Sequence, residues 1–244
     1  MYSWRTIRTF CVLLLCLPLV HFAYLLSGDI LATLDSSPNA WADELEDYAE
    51  ADREATLPKD PIVVVGGRRA SLWRGLDELL APSTVLMRGL GDATIEDILF
   101  HYDRLVAFYQ PSAVVLLPGD SEFHIRDSKS AEDYMRAIIE LSEHDAALSS
   151  QWQLVLYTPL KTPLRPGDHQ KIDDIASRLS VWGNEDPRIT VIDANTLLAN
   201  TAGNPNPAYF RPDGTNLNDA GYLRLAIPLK SALETTTAVL ESAD

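Results

Sequence analysis

The sequence predicts an α/β protein in which a mostly parallel five-stranded sheet has helices on both faces. Short runs of β-branched and aliphatic residues recur after Pro58, and segments with helical spacing separate them. The runs at 62–65 and 113–117 are apolar throughout instead of alternating, as strands buried on both faces are. Regular alternation of strands and helices is typical of parallel sheets whose ligands bind outside the carboxyl ends of the strands.

The predicted strands share a continuous apolar run followed by turn-forming residues. They cover residues 62–65, 84–87, 113–117, 153–157 and 189–192. The first is followed by Gly66 and Gly67, and the third by Pro118 and Gly119. Such residues end a strand abruptly, so we expect loops at these points.

The segments between the strands have helical character. Predicted helices cover residues 70–80, 94–109, 167–181 and 218–233, and another long helix begins at Ser130. Ser130 is followed three residues later by Asp133, which resembles a capping box at a helix start. Residues 200–215 are rich in Pro, Gly and Asn, which predicts a long loop.

Length and composition favour one sizeable domain, which we place at residues 61–236, with a short tail at 237–244. The chain has 244 residues, is 46% hydrophobic and carries a net charge of -15. This charge argues against nucleic acid and anionic lipid as partners, because both attract clustered Lys and Arg. The only cysteines are Cys11 and Cys16, so neither a disulfide framework nor a zinc site is expected, and we predict no cofactor.

The N-terminus predicts a membrane segment. Residues 10–26 read FCVLLLCLPLVHFAYLL, with Arg5 and Arg8 before them and acidic residues after them. The positive-inside rule places residues 1–9 in the cytoplasm, a single-pass signal anchor at 10–27, and the domain outside, in the periplasm. At ~1.5 Å per residue the run reaches ~26 Å, which barely spans a bilayer core. A cleaved signal peptide with secretion of the domain is the alternative, with Ala40-Trp41-Ala42 as the best cleavage site.

An acidic linker is predicted at residues 28–60. Residues 35–60 contain nine acidic and two basic residues, a net charge of 2 − 9 = −7. Residues 43–55 are strong helix formers without a continuous apolar stripe, which indicates a solvated spacer. The alternative is an acidic docking element for a basic partner.

Four segments of the domain resemble the SGNH (GDSL-type) hydrolases. They are VVVGGRRASLW (63–73), LMRGLGDATIEDIL (86–99), VVLLPGDSEF (114–123) and FRPDGTNLNDAGY (210–222). Their order and spacing match that family over about 170 residues. The resemblance implies a flavodoxin-like three-layer α/β/α fold. It also implies cleavage or transfer of ester-linked acyl groups by a Ser-His-Asp triad, with the oxyanion held by the Ser amide, a Gly and an Asn.

The residues at the family's catalytic positions differ from that chemistry. Arg68 stands at the nucleophile, and a guanidinium stays protonated and has no nucleophilic lone pair. Asp92 replaces the oxyanion Gly, where a carboxylate would repel the developing charge. Ser121 replaces the oxyanion Asn and keeps one donor. Asp213 is retained, but Asn216 replaces the His and cannot accept a proton near neutral pH. The sequence therefore predicts a degenerate enzyme.

The replacements predict a binding site instead. Its residues would be Arg68, Arg69, Asp92, Ser121, Asp213 and Asn216. Burying an unpaired Arg is costly, so we expect Arg68 to pair with Asp92 or Asp213. An anion site formed by Arg68, Arg69 and helix-head amides is an alternative. Arg68 would compete with a cation for the nearby carboxylates, so no metal site is predicted. The expected partner is an envelope polysaccharide, an acyl ligand or a membrane protein.

An active esterase or acyltransferase with a rearranged site is the competing hypothesis. Gly119-Asp120-Ser121 spells the family's Gly-Asp-Ser tripeptide after the third strand instead of the first. We interpret this as coincidence, because nothing in the sequence orients His124 as a base for Ser121. Ser71, Ser121, His124 and Asp213 are the residues that such an enzyme would use, and it would need a Ser within hydrogen-bond reach of a His.

Overall fold

A parallel five-stranded sheet forms the centre of the computed structural model, which describes residues 37–124, 127–149 and 152–241, together with residues 8, 16–18 and 21. Its strands are β1 (Ile62–Gly66), β2 (Val85–Gly89), β3 (Ala113–Leu117), β4 (Gln153–Tyr157) and β5 (Ile189–Ile192). The strand order is β2-β1-β3-β4-β5, and every pairing is parallel. The predicted fold class is confirmed, and β3, β4 and β5 have the predicted bounds.

The sheet is covered on both faces, which is why its central strands are apolar at every position. Successive side chains of a strand point to opposite faces. Val63 and Val65 of β1 belong to one core cluster, whereas Ile62 and Val64 belong to the other. All five residues of β1 are buried. Among the described residues, the buried members of both clusters lie between Trp41 and Leu229, so we expect residues 37–241 to fold on their own.

The helices form the two outer layers. Buried residues of α1 (Ala42–Glu54), α4 (Ile95–Phe100), α5 (Tyr102–Leu105), α6 (Ala131–Leu148) and α7 (His169–Gly183) belong to the cluster that contains Val63. Those of α2 (Arg68–Ser71), α3 (Leu76–Leu80), α8 (Ala194–Leu198) and α9 (Asp219–Glu241) belong to the other. Ser130 and Asp133 form the expected capping box at the start of α6.

Two predicted helices are interrupted. The segment 70–80 forms α2 and α3, separated by a turn in which Gly75 has a positive φ of 72° and Trp73 is buried. The segment 94–109 forms α4, α5 and a 3-10 turn at Ala107–Tyr109. The apolar positions that predicted one helix are nevertheless buried. Helical spacing thus identified the buried face, but not the turns within it.

The acidic segment after the predicted anchor is not a solvated spacer. Residues 42–54 form α1, and its buried Leu45 joins the core together with Trp41, which directly precedes the helix. Glu44 accepts a hydrogen bond of 2.8 Å from the amide of Gly91, and Tyr48 donates one of 2.6 Å to the carbonyl of Gly89. The interpretation of this segment as a solvated spacer was therefore wrong. The helix contacts residues that are distant in sequence, and its own apolar pattern does not reveal them.

The far end of α1 is held by an ion pair. Asp52 contacts Arg88 at 2.6 Å and also accepts a hydrogen bond from the Tyr109 hydroxyl. The Arg88 guanidinium lies over the rings of Tyr48 and Tyr109, at 4.9 and 4.7 Å from their centres. The side chains of Arg88 and Asp52 are only 9% and 12% exposed, so solvent screens this pair weakly.

Replacement of Asp52 by Ala is expected to lower the free energy of unfolding by about 3 kcal/mol, because Arg88 then remains largely buried without its carboxylate. Urea denaturation of residues 37–244 measures this change. Glu50→Ala, on the exposed side of the same helix, is the control and should change stability by less than ~0.5 kcal/mol. Equal effects of the two substitutions would show that α1 is not held to the domain.

Nearly all of the predicted anchor at 10–27 lies outside the described residues. Within the described part of the chain, no helix has both the length and the apolar composition needed to cross a bilayer.

Candidate ligand-binding site

The predicted site residues lie around the carboxyl ends of β1, β2 and β3. The chain passes from β1 to β2 on one side and then to β3 on the other, which makes the β1–β3 boundary the switch point where such sheets bind ligands. Gly67 and Gly119 bring the two loops together here, since a Cβ on Gly67 would lie 3.2 Å from the Gly119 Cα. The backbones of the loops after β1 and β3 are therefore in close contact, and the surface beside Arg68 and Asp92 is called the crevice.

Arg68 begins α2 and forms a bidentate ion pair with Asp92. Its Nε lies 3.0 Å from Oδ1 and its Nη2 lies 2.8 Å from Oδ2. The expected pairing with Asp92 is confirmed. The hydrogen bonds with Asp92 raise the pKa of Arg68, so the guanidinium stays charged. The two residues that the sequence suggested for the nucleophile and oxyanion positions are thus bonded to each other, although 55% of the Arg68 side chain remains exposed.

Asn216 and Asp213, two further residues of the predicted site, are hydrogen-bonded to each other. The Asn216 side-chain amide donates to Asp213 Oδ2 at 2.9 Å. Backbone amides of Thr215 and Asn216 donate to Oδ1 at 2.8 and 2.9 Å. Burial opposes ionisation of Asp213, but these hydrogen bonds outweigh it and lower its pKa. An amide N–H thus bonds to the carboxylate as an imidazole N–H would, but it supplies no lone pair for proton abstraction.

Arg69 is a buried structural residue, in contrast to its exposed neighbour. Its side chain is 2% exposed and donates to the carbonyls of Pro118 and Thr215 at 3.2–3.4 Å. Its guanidinium also lies 3.6 Å from Asp120. These bonds join the loops after β3 and before α9. Because Arg69 is buried and occupied, an anion that entered the crevice would meet Arg68 and not Arg69.

The loop after β3 is fixed by a buried cluster of charges that sequence reasoning missed. Ser121 and Glu122 are 2% and 1% exposed. Glu122 accepts hydrogen bonds of 2.8 Å from the Ile95 amide and 2.7 Å from Lys129. Lys129 also contacts Glu96 and Asp127 at 2.7 and 2.8 Å. Glu122 and Asp127 belong to the same loop as Lys129, whereas Glu96 comes from α4, and no local sequence pattern indicates that this lysine is buried among them.

Because of the buried carboxylate in this cluster, we expect the stability of the folded protein to depend on pH. Burial raises the pKa of Glu122 from 4.5 to about 7, although Lys129 opposes the shift. The folded state therefore binds the Glu122 proton more tightly than the unfolded state does. The stabilisation that comes from this bound proton is lost as pH rises from about 4.5 through 7. A Gln at position 122 does not titrate, so the variant avoids this loss. The free energy of unfolding of Glu122→Gln minus that of wild type should therefore rise by about 3 kcal/mol between pH 4.5 and pH 7. Urea denaturation at a series of pH values measures it, and a pH-independent difference would contradict the shifted pKa.

His124 has an orienting partner, which corrects the expectation that nothing holds its imidazole. Its Nε2 is hydrogen-bonded to Asp168, in the 3-10 turn Pro166–Asp168, and Lys171 lies 3.6 Å from the same carboxylate. Neither Ser71 nor Ser121 is hydrogen-bonded to His124 within the described residues. Ser71 lies instead beside Gly89, where an added Cβ would be 2.7 Å from its hydroxyl. The described part of the chain also contains no group of three or more His, Cys, Asp or Glu side chains placed to hold a metal ion.

The fold of this chain is similar to that of several solved structures, whereas comparisons of its sequence find no match. No protein-family model matches the sequence, and no curated protein matches it significantly. Solved structures do match. A protein assigned as an acylhydrolase from Bacteroides fragilis has a TM-score of 0.67 at 21% identity, over 79% of this chain and 96% of that one. A GDSL-like lipase from Bacteroides thetaiotaomicron has a TM-score of 0.67 at 19% identity, over 78% and 97%.

A third similar structure is the C-terminal catalytic domain of peptidoglycan O-acetyltransferase A from Streptococcus pneumoniae. Its TM-score is 0.55 at 15% identity, over 74% of this chain and 96% of that domain. These identities are low, so the matches establish the fold and leave the activity to be inferred from the residues of the site.

Proposed function

We propose that this chain, which has the fold of the SGNH (GDSL-type) hydrolases, is a non-catalytic binding protein of the cell envelope. The observation that carries the proposal is the bidentate Arg68–Asp92 pair at the positions of the nucleophile and the oxyanion donor. An ion pair cannot attack an ester, and the negative charge of Asp92 opposes an oxyanion. Asn216 supplies no base.

The groups that remain accessible fit a polar, uncharged ligand. The predicted site offers the part-exposed guanidinium of Arg68 and the carboxylates of Asp92 and Asp213, so it contains both hydrogen-bond donors and acceptors. Polysaccharide hydroxyls can pair with both kinds of group. The similarity to a domain named for peptidoglycan O-acetylation favours an envelope polysaccharide over a protein partner.

Membrane attachment is the second part of the proposal. Residues 10–27 would span the membrane, and α1 lies a short distance after them. Glu44 bonds to Gly91, next to Asp92, so α1 begins beside the candidate site. Residues 28–36 would reach at most about 30 Å when extended, which would keep the crevice near the membrane surface.

A second candidate function is an esterase that uses Ser121, His124 and Asp168. The hydrogen bond between His124 and Asp168 favours it, because an oriented imidazole is what a relocated base needs. The buried state of Ser121 weighs against it, because a nucleophile must reach the substrate. In this case Ser121→Ala and His124→Ala would each remove activity.

Cosedimentation of residues 37–244 with insoluble peptidoglycan tests the proposal. Wild type should sediment with the polymer, and Arg68→Glu should weaken binding at least tenfold, because it reverses the exposed charge of the crevice and breaks a charge-assisted bond. Arg74→Glu, on an exposed residue outside the crevice, is the matched control and should bind as wild type does. Equal binding by both variants would place the ligand elsewhere, and no binding by wild type would contradict peptidoglycan as the ligand.

A further inference from the structure

The two edges of the sheet differ in how their backbone groups are occupied. β2 and β5 are the outermost strands. At β2, the outward-pointing carbonyls of Met87 and Gly89 accept hydrogen bonds from Arg88 Nη1 at 3.0 Å and from the Tyr48 hydroxyl at 2.6 Å. Side chains of the protein itself therefore block this edge, as is common in natural sheets that avoid edge-to-edge pairing.

The corresponding groups of β5 are unoccupied within the described residues. Amides of β4 and the residue after it bond to the carbonyls of Arg188 and Ile192. Alternate residues of a strand turn their N–H and C=O groups to opposite sides, so those of Ile189 and Val191 point away from β4. The Ile189 amide bonds to the Asp186 carbonyl, but the Ile189 carbonyl and both groups of Val191 have no partner in the described part of the chain.

No protective device covers this edge. The strand reads ITVI, without the Lys, Pro or other charged residues that usually guard an exposed edge. Asp193 follows the strand directly, but its carboxylate turns back onto α8, where it accepts a hydrogen bond of 3.0 Å from the Asn195 amide. The free backbone groups of β5 are therefore accessible to another strand.

An open groove of about 630 Å³ lies beside this edge, between β5, α8 and α9. Its wall includes the apolar side chains of Val191, Ile192, Leu197, Pro228 and Ala232. A specific dimer usually buries at least ~1,200 Å² in total, more than a four-residue strand supplies. The groove provides further apolar surface that an added strand and its flanking helix would cover.

We propose that the β5 edge is the interface of a homodimer, in which the β5 strands of two copies pair antiparallel across a two-fold axis at Val191. A residue on such an axis faces itself, so each Val191 would donate to and accept from the other. The same register brings the Asp193 amide opposite the free Ile189 carbonyl and joins the two sheets into one of ten strands. A second copy fits because a two-fold contact needs one patch that complements itself, as this edge does.

The charge of the chain opposes association, but much of it lies at the other end of the sheet. Nine of the 35 acidic residues lie within residues 35–60, and α1 in that segment packs beside β2. Exposed charges more than ~8 Å apart are largely screened at physiological ionic strength. Dimerisation should therefore strengthen as salt is raised. The interface is separate from the crevice at Arg68, so its test does not depend on the function proposed above.

Sedimentation velocity of residues 37–244 tests the inference. Wild type should be largely dimeric at ~100 μM. Val191→Pro removes the central donor, and Pro is tolerated in an edge strand where the N–H faces outward, so this variant should fold but dimerise at least tenfold more weakly. Val191→Thr keeps the N–H and the branched shape, and it is the matched control that should dimerise as wild type does.

Cysteine cross-linking locates the axis independently. Residues 37–244 contain no cysteine, so a disulfide in Val191→Cys can join only two copies. Facing residues of an antiparallel pair have Cα atoms about 5.5 Å apart, which a disulfide can bridge. Val191→Cys should therefore cross-link under mild oxidation, whereas Ser177→Cys, on the exposed side of α7, should not.

Several results would overturn the inference. Monomeric wild type at ~100 μM in high salt would do so, as would a dimer that Val191→Pro leaves intact while circular dichroism shows a native fold. If Val191→Pro fails to fold, Ser231→Glu decides, because it places a charge in the groove beside the axis. Loss of its dimer supports the interface, and an unchanged dimer contradicts it. Equal cross-linking of Ser177→Cys and Val191→Cys would remove the evidence for the axis.

Discussion

Gly66→Ala is expected to prevent stable folding. Gly66 ends β1 with a φ of 148°, a conformation that residues with a side chain rarely adopt. An added Cβ would lie 2.0 Å from the Leu117 carbonyl oxygen, in the strand that pairs with β1. Because that oxygen is backbone, relief requires the two central strands to separate. We expect a loss of more than ~4 kcal/mol, measured by urea denaturation or by failure to obtain soluble protein.

Gly167→Ala is the control for this prediction. Its added Cβ would meet no atom within 4 Å, so the change should stay within ~0.5 kcal/mol. A Gly66→Ala protein as stable as Gly167→Ala would show that β1 and β3 do not approach as described.

Arg69→Met is expected to destabilise the protein by about 3 kcal/mol or more. The substitution keeps an apolar stem but removes the donors to the Pro118 and Thr215 carbonyls and the positive charge beside Asp120. Buried acceptors left without donors, and a carboxylate left without its buried partner, each cost free energy. Denaturation of residues 37–244 at neutral pH measures the change.

Arg68→Met provides a matched comparison one residue away. Its side chain is 55% exposed and its pair with Asp92 faces solvent, so the loss should stay below ~1 kcal/mol. If Arg68→Met destabilises the protein as much as Arg69→Met, the distinction between an accessible and a structural arginine is wrong.

The sheet could be predicted from the sequence because buried parallel strands have a strong local signature. Short, mainly apolar runs located all five strands, three of them to the residue, and Gly or Pro directly followed the runs of β1 and β3. The partner of Arg68 was also predictable, because a partly buried guanidinium needs a carboxylate and few were available at the strand ends.

The remaining features depend on contacts that no local pattern encodes. The lack of a continuous apolar stripe in residues 43–55 indicated solvation, yet Glu44, Tyr48 and Asp52 bond to the segment 88–91. His124 and Asp168 are 44 residues apart, and Lys129 pairs with Glu96 of α4 as well as with Glu122 and Asp127 of its own loop. Adjacent Arg68 and Arg69 looked equivalent, and only the packing of the loops assigns one to the crevice and the other to the interior.

Loss of hydrolytic chemistry is tested most directly by turnover of p-nitrophenyl acetate by residues 37–244, which retain α1. Wild type should not exceed the buffer background, whereas Arg68→Ser with Asp92→Gly and Asn216→His should gain turnover. These changes restore the nucleophile, the oxyanion position and a base that Asp213 already orients. Wild-type turnover that Ser121→Ala or His124→Ala abolishes would contradict the proposal and identify a relocated catalytic site.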